Sequence, residues 1–326
     1  MGGWEVLDAA RLPADRVQEG SVVPGRAATP GVKTITDLAA AIRRDRAEQA
    51  ASHIDTPPPA PGLTITDHVL RGIGEDVRIR ARVYRPHSGS PLPLAVYLHG
   101  GAFVLGSLDR VHDNVAALAL GAEAVVMSVG YRLAPEHPFP AGLDDCVSAL
   151  AWAAAQAGAL GADPDRIGLV GVSAGATLAL GVALRTRDTG GPSPRFLSLT
   201  MPALDDRLRT PSMVAAVDTP VWNRPLAVQS WRLYLGDEAT EVSPYAAPAR
   251  AVDLTGLPPT YLAVGGRDPL RDEGILFALR LMQAGVPVEP HTFADAGHGF
   301  AGLDTPTLRR ARDEQLVVLR RGLGAA

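Results

Sequence analysis

From residue 63 onward, short apolar runs along the chain alternate with longer stretches of helical spacing. Val77 to Tyr84 sets Val77, Ile79, Ala81 and Val83 against Arg78, Arg80 and Arg82, which predicts a half-buried strand near a sheet edge. Leu94 to Leu98, Ala124 to Val129, Ile167 to Val170, Phe196 to Thr200 and Tyr261 to Val264 are short, mainly apolar runs. Such runs suit strands covered on both faces of a parallel sheet. Helical stretches stand between several of them, for example Asp144 to Ala157 and Ala174 to Arg187. The alternation predicts an α/β fold with a central, mostly parallel sheet flanked by helices.

Two regions break this rhythm. In residues 1–62, Ile35, Leu38, Ala39 and Ile42 fall at helical spacing beside a charged face of Arg43, Arg44, Asp45 and Arg46. The run Pro57-Pro58-Pro59 then ends the helix as a stiff connector. These residues are read as an N-terminal cap segment, and 63–326 as the main domain. Residues 203–250 are rich in Pro, Asp and Arg yet carry Trp222, Trp231 and Tyr234. That composition predicts an inserted lid over the carboxyl ends of the strands; a surface excursion with a satellite core is the alternative.

Composition narrows the function. With 46% hydrophobic and 20% charged residues over 326 positions, the chain can bury a large core. A net charge of -4 gives no basic surface for nucleic acid. Cys146 is the sole cysteine, which excludes an intrachain disulfide and a multi-cysteine metal site. His112 and His137 have no companion at metal-ligand spacing and are read as structural. No secretory leader, myristoylation motif or membrane-length apolar stretch is read, so a cytoplasmic protein without a membrane partner is expected.

Gly171-Val172-Ser173-Ala174-Gly175 carries the candidate chemistry. It follows the run Ile167–Val170 and precedes an Ala/Leu-rich helical stretch, the strand–turn–helix that a nucleophile elbow requires. His99-Gly100-Gly101-Ala102-Phe103 follows Leu94–Leu98; its paired glycines leave backbone N–H groups free to face developing negative charge. Gly100, Gly101 and the Ala174 amide are therefore candidate oxyanion donors, and His99 is read as a loop anchor. Asp268 lies just beyond Tyr261–Val264, and His298 lies beyond the alternating stretch Val288 to Phe293. Both fall past strand ends in the order Ser…Asp…His. Asp272 and Asp295 compete for the acid and His291 for the base.

These motifs resemble the hormone-sensitive-lipase-like branch of the α/β hydrolases, which includes the bacterial family IV esterases. The resemblance rests on His99 to Phe103 with Gly106, on Tyr131 to Ala141, on Gly171 to Gly175, on Asp268 to Asp272 and on His298-Gly299-Phe300. It covers roughly residues 63 to 320, and Tyr131–Ala141 is its most specific part. The resemblance implies an α/β-hydrolase fold with a helical cap, a triad of Ser173, Asp268 and His298, and hydrolysis of short-acyl carboxylic esters without cofactor or metal. It also implies a small-molecule ester as substrate and makes a homodimer the assembly to look for. Phe103, Val104, Leu105 and Val172 are candidate pocket residues. Val172 departs from the Asp or Thr usual in the family, and Ala102 and Ala176 replace glycines. The Val172 departure leaves a second reading open, a dehydratase, cyclase or acyltransferase of specialised metabolism using the same pocket. A binding protein without catalysis is disfavoured, because His298 is present.

Overall fold

The computed structural model describes residues 37–51, 58–236, 241–300 and 305–324. Its centre is a sheet of eight strands: β1 (Leu63–Arg71), β2 (Arg78–Pro86), β3 (Leu92–Leu98), β4 (Val125–Gly130), β5 (Ala162–Val172), β6 (Leu197–Thr200), β7 (Thr260–Gly265) and β8 (Val288–Phe293). The spatial order is β1-β2-β4-β3-β5-β6-β7-β8. β2 pairs antiparallel with both β1 and β4, and every pair from β4 to β8 is parallel.

Helices cover both faces, as parallel strands require. α2 (His112–Ala122) and α8 (Pro306–Leu323) lie on one side, α3 (Ala141–Gln156), α4 (Ala174–Thr189) and α7 (Arg271–Gln283) on the other. The chain leaves β3 toward β4 and then crosses back to β5, so the winding reverses between β3 and β5. In open α/β sheets, ligands bind in the crevice beyond the carboxyl ends at such a reversal. The ends of β3 and β5 carry His99-Gly100-Gly101 and Ser173.

The buried runs emerge as β3 to β7, and Val288 to Phe293 is β8 to the residue. β1 has no counterpart in the apolar pattern, because Thr66, Asp67 and His68 give this edge strand no apolar face to recognise. Arg82 was placed on a solvent-facing side, yet it is fully buried; its guanidinium is held by Asp67 at 2.7 Å and by Asp109 at 2.8 Å. Asp67 of β1 and Asp109 thus take the place of solvent around this one guanidinium, while Arg78 and Arg80 on the same side of β2 stay exposed.

The helix expected in the N-terminal segment is α1 (Leu38–Ala51); Ile35 and Pro57 lie outside the described residues. Leu38, Ala41, Ile42 and Asp45 face inward, whereas Ala39 is exposed. Asp45 thus does not belong to the solvent face. The insertion between β6 and β7 forms α5 (Pro211–Val214), α6 (Arg224–Leu235) and a 3-10 turn at Pro248–Arg250. Trp222, Trp231 and Tyr234 are buried in it. The Asn223 side chain caps α6 by accepting from the Leu226 N–H at 3.0 Å.

Candidate active site

Ser173 stands at the turn from β5 into α4 with φ 54° and ψ -121°. A non-glycine residue at positive φ is strained by about 1–3 kcal/mol and persists only where its surroundings over-determine it. They do so here. The Ser173 N–H donates to Thr200 O at 2.8 Å, while its carbonyl accepts from the Ala176 N–H at 2.9 Å. Gly175 lets α4 cross the end of β3, since a Cβ there would lie 2.0 Å from Leu98 O. The turn lifts the hydroxyl above the carboxyl edge of the sheet.

The loops after β7 and β8 bring their side chains to the same edge. His298 Nε2 is 3.0 Å from Ser173 Oγ, and His298 Nδ1 is 2.9 Å from Asp268 Oδ2. Asp268 is buried, and its second oxygen accepts from the Leu270 N–H at 2.9 Å. A carboxylate only accepts hydrogen bonds, so the imidazole carries its proton on Nδ1 and turns its Nε2 lone pair to the serine. Met201 Sδ accepts from the Gly299 N–H at 3.0 Å, and the Trp222 ring lies 5.8 Å from the imidazole.

The competing residues lie elsewhere. Asp272 accepts from the Ser212 N–H at 2.7 Å and ties α7 to α5. Asp295 pairs with Arg267 on the surface. His291, on β8, sits between Glu314 at 2.5 Å and Glu289 at 3.2 Å. His112 bonds Tyr84 Oη at 3.1 Å, and His137 is exposed. Among the described residues no group of His, Cys, Asp and Glu is arranged to hold a metal.

The glycine loop after β3 runs beside Ser173: a Cβ on Gly100 would lie 3.4 Å from Ser173 Cβ. Gly101, Ala102 and Phe103 have φ values of 133°, 57° and 63°. The His99 side chain lies beneath the loop, with Nδ1 donating to Gly100 O at 2.8 Å and the ring stacked on Tyr131 at 4.3 Å. Burial lowers its pKa to about 4, partly opposed by the Gly100 hydrogen bond and by Asp45. Such an imidazole is neutral and enclosed, as expected of an anchor. Phe103 stacks on Tyr234 at 3.9 Å beside Trp231, and Val104 and Leu105 are buried in the core. Val172 packs against the layer of α2 and α8, where it lines a cavity of about 280 Å³ with Tyr97, Thr200, Gly299 and Leu316.

Glu273 was not singled out from the sequence. Its carboxyl is buried, accepts from the Leu204 N–H at 2.6 Å, and leaves Oε2 without a partner among the described residues. Burial pushes its pKa well above the usual carboxylate range, with Asp205 and Asp268 adding to the effect. One turn of apolar neighbours, Gly274, Phe277 and Ala278, was the available signal that this helix face is enclosed.

Residues 95–302 match the family described as alpha/beta hydrolase fold. The chain belongs to that family. A carboxylesterase of Mycobacterium tuberculosis named NlhH is 41% identical over 284 residues, 83% of this chain and 87% of that protein. The esterase LipI of the same organism is 39% identical over 269 residues, 81% of this chain and 83% of the relative. Among solved structures, a bacterial heroin esterase superposes with a TM-score of 0.82 at 42% identity, covering 89% of this α/β hydrolase and 93% of that chain. These likenesses agree with the hormone-sensitive-lipase-like branch. No described helix of this α/β hydrolase is long and apolar enough to cross a membrane.

Proposed function

We propose that this α/β hydrolase is a carboxylic ester hydrolase acting on short-acyl esters, with Ser173 as nucleophile, His298 as base and Asp268 as its orienting acid. The observation that carries the reading is the imidazole of His298 bridging Ser173 Oγ at 3.0 Å and Asp268 Oδ2 at 2.9 Å. The names of the esterase relatives supply the bond that is cut.

In the first step Ser173 Oγ attacks the ester carbonyl while His298 Nε2 takes its proton. The carbonyl electron pair moves to oxygen, and the amides of Gly100, Gly101 and Ala174 receive that charge. Among the described residues none of these three amides has a backbone partner in the loop and turn bonds around them. Collapse of the adduct expels the alcohol, protonated from Nε2. Water then attacks the acyl-serine with the same proton transfers, and acid and free Ser173 result. Asp268 keeps Nδ1 protonated and stabilises the imidazolium that forms in each step.

The insertion acts as a lid in this reading. It brings Trp222 to 5.8 Å from the His298 ring and packs Trp231 and Tyr234 against Phe103 of the glycine loop, and these rings are the apolar walls in this reading. Close walls favour short acyl chains over long ones. Hydrolysis of p-nitrophenyl esters of increasing chain length tests the whole reading; faster turnover of long-chain emulsified triglyceride than of short soluble esters would sink the short-acyl part.

A further inference from the structure

The oxyanion loop does not hold its own shape. Ala102 and Phe103 occupy left-handed backbone, which is unfavourable for non-glycine residues and must be imposed by neighbours. Within the loop, Gly101 O accepts from the N–H groups of Val104 and Leu105. The remaining ties come from outside. Ser230 of α6 donates to Ala102 O at 2.7 Å, and the Ala134 N–H donates to Phe103 O at 3.0 Å.

α1 adds further ties, beside the bond from His99 Nδ1 to Gly100 O. Arg46 donates to Val104 O at 3.0 Å and Gln49 donates to Gly106 O at 3.1 Å, while the Gly106 N–H points to Asp45 Oδ1 at 3.3 Å. Asp45 is the hub of this group. Its other oxygen accepts from Arg46 at 3.0 Å and from Gln49 at 2.6 Å, and Arg110 pairs with Oδ1 at 3.1 Å. The side chain is 1% exposed. A carboxylate is retained in such a place only where several donors compensate its lost hydration, and here they also belong to the loop and its braces. Arg46 extends the connection to Ala134 O at 3.1 Å and to Glu136 at 2.8 Å.

We propose that Asp45, acting with Arg46 and Gln49, is a positioning residue of the reaction: from α1 it fixes the 100–106 loop and so aims the Gly100 and Gly101 amides at the developing oxyanion. The inference rests on the hydrolytic reading above. Those amides bind charge that is greatest in the two tetrahedral transition states and small in the bound ester. Loosening the loop therefore lowers kcat and leaves KM nearly unchanged.

The test compares full-length wild type with Asp45→Ala, Asp45→Asn and Gln49→Ala on a short p-nitrophenyl ester. Reactive sites are counted by fluorophosphonate labelling, so that misfolded protein does not enter kcat. For Asp45→Ala the expected result is a kcat per site about ten- to a hundredfold lower with KM within about twofold, the scale of a small misplacement of reacting groups. Asp45→Asn, which keeps an acceptor for Gly106 N–H, recovers part of that loss. Hydrogen exchange at residues 100–106 accelerates in Asp45→Ala, while exchange in β5 and α4 does not change. Should Asp45→Ala fail to fold, Gln49→Ala at the half-buried end of the group carries the test, with a severalfold fall in kcat and the same local exchange. Unchanged kcat per site, or unchanged loop exchange, overturns the proposal. Wild-type turnover that survives Ser173→Ala would instead overturn the hydrolytic reading, and the exchange result decides the role of Asp45 independently of any turnover.

Discussion

Gly106 and His99 occupy space that only a glycine leaves free: a Cβ at position 106 would stand 2.4 Å from His99 Nδ1. Position 106 also has φ 117°, a backbone region that L side chains rarely adopt. Gly106→Ala must therefore displace the imidazole that braces Gly100 O, or shift the loop itself. The expected outcome is a loss of about 1–3 kcal/mol of stability together with at least a tenfold fall in kcat. Chemical denaturation and steady-state kinetics check both halves.

Acid should weaken this protein through the same histidine. His99 titrates at about 4 when folded because burial disfavours its charged form, against an ordinary value of 6.5. Between those values the unfolded chain binds a proton that the folded chain does not, so stability contributed by neutral His99 is present above 6.5 and is lost as pH falls to 4. The full loss amounts to about 3 kcal/mol, since one pKa unit is worth about 1.4 kcal/mol. Unfolding free energies of wild type and His99→Gln between pH 7 and 4 should converge by an amount of that order. Parallel curves would remove His99 as the cause.

Glu273 works in the opposite direction. Its folded pKa is raised by burial, so above the ordinary carboxylate value near 4.5 the unfolded chain releases a proton that the folded chain retains. Stability is lost as pH rises through that window. Glu273→Gln keeps an oxygen for the Leu204 N–H and cannot ionise. Its melting temperature relative to wild type should climb as pH rises above the ordinary carboxylate value. A gap independent of pH would show that the carboxyl titrates normally.

Much of this arrangement is legible in the chain, for a physical reason. A strand that is buried on both faces must be apolar throughout, so β3 to β7 announce themselves, and the site residues follow their carboxyl ends. That rule brings Ser173, His298 and an acid after β7 to one edge and leaves Asp272 and Asp295 in competition; the family resemblance favours Asp268, and the hydrogen bond from His298 Nδ1 goes to that carboxyl. β1 is hard to read because an exposed edge strand needs no apolar face, and Arg82 because its charge is satisfied by ion pairs instead of water. Asp45 escaped because charge was equated with exposure. Its spacing pointed the other way: Leu38, Ile42, Asp45 and Gln49 succeed one another at helical intervals on one stripe, and the inward face of α1 follows it. Glu273 escaped for the same reason on α7.

Hydrolysis of short-acyl esters through Ser173 is checked by one comparison. Initial rates on p-nitrophenyl esters from acetate to palmitate should be measured for wild type and Ser173→Ala, each shown to be folded by its melting curve. The expected result is a maximum at the short chains and a loss on the order of 10⁴- to 10⁶-fold in the variant, the scale seen when a serine nucleophile is removed. Turnover that persists in Ser173→Ala, or rates that rise toward palmitate, would contradict it.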